Sequence, residues 1–137
     1  MRKLFAFFLV AILFSCNVSD DGTNFDVVKL GVEPGKPIAS ASVNIPFQIP
    51  LTYSRPSSCH FTDGFIILDE DIENNTFTFA LAATFIQEEN CETLVTEKSQ
   101  ISFPFVAKNT GNFKFLFWKG EDENGLDEFL TIEVTVK

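Results

Sequence analysis

The sequence is poor in positive charge and in histidine. Its 137 residues include 10 lysines and arginines against 19 aspartates and glutamates, and a single histidine, His60. Proteins that bind nucleic acid neutralise phosphates with lysine and arginine, so this balance argues against a nucleic-acid partner. One histidine is too few for the ligand set of a structural zinc site when two of the cysteines form a disulfide. We therefore expect no metal and no cofactor.

The apolar run that opens the chain is too short to cross a bilayer. Leu4 to Phe14 is eleven residues long, whereas a membrane-spanning helix needs roughly 20. The run follows Arg2 and Lys3, and a positive start before a short apolar stretch is typical of a secretory signal peptide. We predict that residues 1–15 are removed on export, which changes the formal net charge from −9 to −11.

The end of this run resembles the processing site of a bacterial lipoprotein. Leu13-Phe14-Ser15-Cys16 is similar to a lipobox, in which a peptidase cuts before the cysteine and the cysteine carries the lipid. The Phe-Ser-Cys junction resembles those of Bacteroidetes-type exported lipoproteins, and this resemblance implies membrane attachment through Cys16. In that group, a stretch such as Ser19-Asp20-Asp21 resembles a signal for surface display. The resemblance therefore implies a lipid-anchored outer-membrane protein, exposed on the cell surface or otherwise facing the periplasm.

Three cysteines make an odd number, which requires an explanation in an exported protein. If Cys16 is acylated, Cys59 and Cys91 remain as a pair in an oxidising compartment. We predict a disulfide between them. The mature chain then divides into residues 16–37, with the lipidated cysteine, a polar tether and a possible first strand, and a folded domain over residues 38–137.

No window of the sequence shows the spacing of an amphipathic helix, and apolar residues instead alternate with polar ones. The alternation predicts strands over 43–53, 64–68, 76–86, 94–107, 112–118 and 129–136, with a possible first strand over 25–30. This pattern favours an all-β fold, an antiparallel β-sandwich of about seven strands after the signal peptide. The closing pair of strands resembles the last hairpin of immunoglobulin-like (Ig-like) domains in exported bacterial proteins. That resemblance implies an Ig-like architecture and carries no function with it.

The order of the strands predicts which loops share one end of the sandwich. If each strand reverses the direction of the one before, loops 54–63, 87–93 and 119–128 lie together at one end, the top. This arrangement brings Cys59 and Cys91 to the same end. Residue 38, which follows the tether, falls at the bottom, so an anchored chain is expected to point its top away from the membrane.

Candidate catalytic and metal-binding groups are few. His60 lies beside Cys59 without a nucleophile motif, which is typical of a solvated loop residue, so we expect no catalytic residue. The stretch 120–128 fails as an EF-hand, because Gly120 and Thr131 fall where the first and last ligands are needed. A calcium site of another kind among these carboxylates is left open by the sequence.

The three top loops carry a net charge of −7 by count of their charged residues. We expect an interaction loop here, facing a basic partner or a bound cation, and steered by this field. Its residues are Glu121, Asp122, Glu123, Asn124, Asp127 and Glu128. The alternative is that the acidic tip only keeps the domain soluble. The expected function is a non-catalytic binding or adhesion module for a protein or glycan; the alternatives are a small envelope hydrolase or an inhibitory or protective lipoprotein.

Overall fold

The computed structural model describes residues 24–137, and these residues form β-strands and no helix. The strands are β1 (Phe25–Leu30), β2 (Val32–Pro34), β3 (Ser40–Ala41), β4 (Phe47–Ser54), β5 (His60–Asp71), β6 (Thr76–Ile86), β7 (Lys98–Phe105), β8 (Gly111–Glu121) and β9 (Asp127–Val136). They form two sheets, so the predicted all-β fold is confirmed, and the two sheets are consistent with the predicted sandwich.

The larger sheet is built around β6. One edge of β6 pairs with β5, and the other pairs with β1 along residues 81–86 and with β8 along residues 76–79. The sheet continues through β9 to β3, while the smaller sheet has the order β2-β4-β7. The neighbours β6 and β8 run parallel, as do β3 and β9, so the prediction of an antiparallel sandwich is wrong for these two pairs. The other pairs are antiparallel.

The core lies between the two sheets and is rich in phenylalanine. Alternate residues of each strand point inward, as the period of two predicts. The Phe79 and Phe103 rings, from opposite sheets, have centroids 4.3 Å apart, and those of Phe105 and Phe115 are 4.9 Å apart. Such aromatic pairs stabilise a fold by about 0.5–1.5 kcal/mol each beyond the burial of their area. Phe115 and Phe117 are fully buried, as are the aliphatic side chains of Ile49, Leu51, Leu81 and Val134.

The predicted strands are found with shifted ends. Segments 25–30 and 76–86 match β1 and β6, while β4 begins only at Phe47 because Asn44 adopts a positive φ of 59° in the preceding turn. The strand predicted from residue 94 begins at Lys98, after a turn in which the Glu97 N–H donates to the Leu94 carbonyl. The described chain has nine strands because β2 and β3 form within the tether and loop regions of the sequence prediction.

Gly31 marks the point where the chain passes from one sheet to the other. β1 pairs with β6 in the larger sheet, and β2 continues in the same direction against β4 in the smaller one. A Cβ atom on Gly31 would lie 2.4 Å from the carbonyl oxygen of Lys119. A side chain at this position therefore forces β8 and the crossover apart, which explains the glycine.

The disulfide prediction is confirmed: Cys59 and Cys91 are joined, with their Cα atoms 5.5 Å apart. The two loops that carry them also pair through their backbones. The Ser58 N–H donates to the Glu92 carbonyl at 2.8 Å, and the Leu94 N–H donates to the Pro56 carbonyl at 3.1 Å. Because β6 and β8 are parallel, the loop after β8 also lies at this end of the larger sheet. We keep the name top for this end.

The predicted position of the tether is wrong. The Gln87 N–H donates to the Asn24 carbonyl at 2.9 Å, and Phe25 pairs with Ile86, so the described chain begins at the top beside the disulfide loops. The prediction placed the tether next to residue 38. It failed because β1 and β2 carry the chain down the sandwich before residue 38 is reached.

Candidate functional site

The predicted targeting residues lie outside the part of the chain that the structure describes. These are residues 1–15, Cys16 and the acidic trio Ser19-Asp20-Asp21. Among residues 24–137, no helix has the length and apolar character required to span a membrane.

The predicted interaction loop is the tip of the β8–β9 hairpin. Glu121 is the last residue of β8 and Asp127 the first of β9. Between them, one carboxylate oxygen of Asp122 accepts hydrogen bonds from the backbone N–H groups of Asn124, at 2.8 Å, and Leu126, at 2.9 Å. These bonds from Leu126 and Asn124 hold the pKa of Asp122 below its ordinary value. Asp122 therefore closes the turn.

Asp127 is held by two side chains from other strands of the larger sheet, β1 and β8. Its Oδ1 accepts a hydrogen bond from the Lys29 ammonium at 3.0 Å and another from the indole N–H of Trp118 at 2.6 Å. The Lys29 ammonium also lies 4.5 Å from the centroid of the Trp118 ring. The hydrogen bond from Lys29, followed by that from Trp118, lowers the pKa of the Asp127 carboxyl. The three side chains form one cluster on the outer face of the larger sheet.

The tip is less negative than its sequence indicates. Lys29 from β1 neutralises Asp127, and Glu128 pairs with Lys119 at 3.1 Å. Within residues 24–137, no ion pair involves the carboxylates of Glu121 or Glu123. These two glutamates have neither an ion pair nor a side-chain hydrogen bond within the described chain, whereas Asp122 has hydrogen bonds and no ion pair. No three His, Cys, Asp or Glu side chains of the described chain form a group that could hold a metal ion.

The sequence predicted that His60 lies in a solvated loop. In the structure it is instead the first residue of β5. Its ring stacks on Phe85 with centroids 4.6 Å apart, and its Nδ1 lies 2.9 Å from the Ser57 hydroxyl oxygen. Ser57 also accepts the Cys59 N–H at 3.3 Å. Sequence reasoning missed this Ser-His pair because the residues are not part of a known motif. Its evident effect is to shape the turn that presents Cys59 to Cys91.

A groove that sequence reasoning missed lies beside β9. One wall is the segment 34–38, which crosses from β2 to β3, and the other is residues 130–133 of β9; Ile49 and Pro50 complete the lining. The groove has a volume of about 270 Å³. Leu130, Ile132 and Ile38 pack at the margin of the core, so the groove is largely apolar. We call it the β9 groove.

The backbone along the β9 groove is unpaired. β3 covers β9 only at Thr135 and Val136, where the N–H of Thr135 donates to the Ala39 carbonyl. Backbone groups on one side of a strand recur every second residue. The N–H and C=O groups of Glu133 and Thr131 therefore point to the same side as those of Thr135, where the described chain supplies no strand to pair with them.

A second exposed apolar surface lies on the outer face of the larger sheet. Phe61 of β5 and Val27 of β1 flank Thr84 of β6 in register, and Phe25 lies next to Ile86. Phe25, Val27 and Phe61 are 64%, 68% and 50% exposed. This surface lies beside the point where the described chain begins.

Comparisons with known proteins found no family model, no curated protein and no solved structure that matches this chain.

Proposed function

We propose that this chain is a lipid-anchored, non-catalytic binding module of the cell envelope, built on an Ig-like β-sandwich. The lipobox-like sequence at Cys16 supports the anchor and an outer-membrane location. The facing sheets and the closing β8–β9 hairpin support the Ig-like type. Surface display on the cell is part of the proposal and rests on Ser19-Asp20-Asp21.

The observation that carries the proposal is the β9 groove. It combines an apolar lining with a row of unpaired backbone donors and acceptors, and these are the groups that fix a bound partner in place. Its lining has two charged side chains, Lys36 and Glu133, and both are exposed. A site that binds by apolar contact and backbone hydrogen bonds suits recognition rather than acid–base chemistry.

The anchor is tested by metabolic labelling with a palmitate analogue. Wild-type protein should incorporate the label and a Cys16→Ser variant should not. Retention of residues 1–15 in the mature protein, or equal labelling of the variant, would remove the anchor from the proposal. Protease treatment of intact cells, with Asp20 and Asp21 changed to alanine as a comparison, tests surface display.

Binding is tested by recovering partners from envelope extracts with the full chain in lipid nanodiscs, and by measuring association with each purified partner. Basic partners should bind through Glu121 and Glu123, so changing both to glutamine should slow association at low salt. The matched control changes Glu70 and Glu73, at the opposite end of the sandwich, to glutamine. If neither the tip variant nor a variant blocked in the β9 groove affects any recovered partner, binding by these surfaces is refuted.

An envelope hydrolase is the second candidate, and the Ser57–His60 pair favours it. A histidine within hydrogen-bond reach of a serine is the minimal arrangement for an activated nucleophile. The test is covalent labelling of the folded chain with a fluorophosphonate probe. Labelling of Ser57 that disappears in a His60→Gln variant would favour the hydrolase, and unlabelled Ser57 would favour the binding module.

A further inference from the structure

The edge of β9 that faces the groove is paired with β3 only at its C-terminal end, at Thr135 and Val136. β3 begins to pair with β9 at Ser40. The chain before β3, residues 34–38, lies away from β9 and forms the opposite wall of the β9 groove. The result is a gap beside Thr131 and Glu133, where a neighbouring strand would ordinarily continue the sheet. An uncovered edge presents a template for another extended chain.

The opposite wall offers few backbone donors to this gap. Pro34, Pro37 and Pro50 have no N–H group, and the Gly35 N–H is already used, donating to the Pro50 carbonyl at 3.0 Å. The wall contributes apolar contact instead, through Ile38 and the proline rings. A chain in the groove would thus pair on one side, with β9, and pack its side chains against the other.

The lining of the groove also suits a chain segment. Successive side chains of a strand point to opposite faces, so an extended segment would place every second side chain into the groove, against Leu130 and Ile132. Peptides recognised at a sheet edge gain affinity from main-chain hydrogen bonds and specificity from such alternate pockets.

We propose that the β9 groove binds an extended polypeptide segment of a partner protein, which adds to the larger sheet at Thr131 and Glu133. This inference rests on the proposed function and names the partner class of its site. The segment carries apolar side chains at every second position. The tether does not suit the site, because residues 17–23 (NVSDDGT) contain a single apolar residue, and a second copy of the chain is opposed by a formal charge of −9 on each.

The test begins with the full chain in immobilised lipid nanodiscs and a phage-displayed library of linear nine-residue peptides, with empty nanodiscs for counter-selection. We expect the enriched peptides to alternate apolar and polar residues. Each is then synthesised with its backbone N–H groups methylated one at a time. Methylation at positions of one parity should weaken binding by about tenfold, because those N–H groups face β9, and methylation at the other parity should not.

A proline at position 131 blocks the same edge from the protein side. Thr131→Pro removes an N–H that has no partner in the fold, which an edge strand tolerates. The matched control is Ser102→Pro. Ser102 pairs with Pro50, whose carbonyl faces Gly35, so the Ser102 N–H points to the free edge of β7. We expect Thr131→Pro to weaken peptide binding by about tenfold and Ser102→Pro to leave it unchanged, with melting temperatures measured for both.

The proposal is overturned if the library yields no enriched peptide. It is also overturned if methylation weakens peptide binding equally at odd and even positions, or if the two proline variants bind the peptide equally well. Self-association that Thr131→Pro abolishes would make the edge an interface between two copies of this chain, which also overturns it. A partner recovered from the envelope that depends on Glu121 and Glu123, and not on Thr131, would refute the peptide site while leaving the binding module intact.

Discussion

The indole N–H of Trp118 donates to the carboxylate of Asp127 at 2.6 Å, across the base of the β8–β9 hairpin. Lys29 joins them from β1, 98 residues before Asp127 in the chain. The first strand is therefore tied to the last hairpin by an ion pair, a hydrogen bond and a cation–π contact. This cluster connects the predicted interaction loop to the end where the described chain begins.

Titration of Asp127 should be visible in the fluorescence of Trp118, the single tryptophan. The pKa of Asp127 is lowered in the folded chain, so its contribution to stability is present at neutral pH. That contribution is lost as the pH falls below about 4 towards the lowered value. We expect the emission of Trp118 to change in this acid range and the change to vanish in Asp127→Asn. The same acid transition in the variant would show that another group causes it.

Removing the disulfide should destabilise the domain. Cys59 and Cys91 are 32 positions apart in the chain, and closing a loop of that length is expected to contribute about 3–4 kcal/mol by the chain-entropy estimate. The free energy of unfolding of a Cys59→Ser, Cys91→Ser double variant, measured by denaturant titration, should fall by this amount. A fall of less than about 1 kcal/mol would contradict this expectation. It would mean that the two loops stay close together in the unfolded chain even without the disulfide.

The hairpin tip should depend on Asp122 and not on its neighbour Glu123. In Asp122→Ala, the backbone N–H groups of Asn124 and Leu126 lose their acceptor, so their amide hydrogen exchange should accelerate. Asp122→Asn retains the acceptor oxygen and should exchange more slowly than the alanine variant. Glu123→Gln is the control, with exchange like that of the wild type. Equal exchange in the alanine and wild-type chains would exclude the role assigned to Asp122.

The same turn also depends on Gly125, which adopts a φ of +76°.

If Cys16 is lipidated, the top of the sandwich should lie nearer to the membrane than the bottom. Eight residues, 17–24, separate Cys16 from β1, a reach of about 28 Å when fully extended. We expect energy transfer to dansyl-labelled lipid headgroups to be stronger from Glu89→Trp, at the top, than from Asn109→Trp, at the bottom, each in a Trp118→Phe chain. Stronger transfer from position 109 would contradict this orientation.

Local pattern was enough to predict the longer strands, although it missed the short strands β2 and β3. The alternation in 76–86 is carried by Phe79, Leu81 and Ala83, which belong to the core between the sheets. A strand that packs one face on a core shows this period. Ala80 and Ala82, on the other face, are buried as well. The disulfide also followed from the sequence, because strand direction and cysteine number both pointed to Cys59 and Cys91. The acidic residues of the tip were identified by composition, although composition could not show that Asp122 and Asp127 are held within the chain.

What only the tertiary structure decided was which strands are neighbours. Hydropathy along a strand reports whether a face is buried and not what it is buried against, so nothing local indicated that β1 pairs with β6 and brings Lys29 to Trp118 and Asp127. The same limit hid the position of Phe25, at the top, and the pair formed by Ser57 and His60. The β9 groove depends on where β3 stops pairing, and that point is set by the path of residues 34–38 between two sheets. The two-residue period of apolar side chains and the composition can be read from the sequence alone. The free edge at Thr131 results from long-range strand pairing, which is defined only in the folded chain.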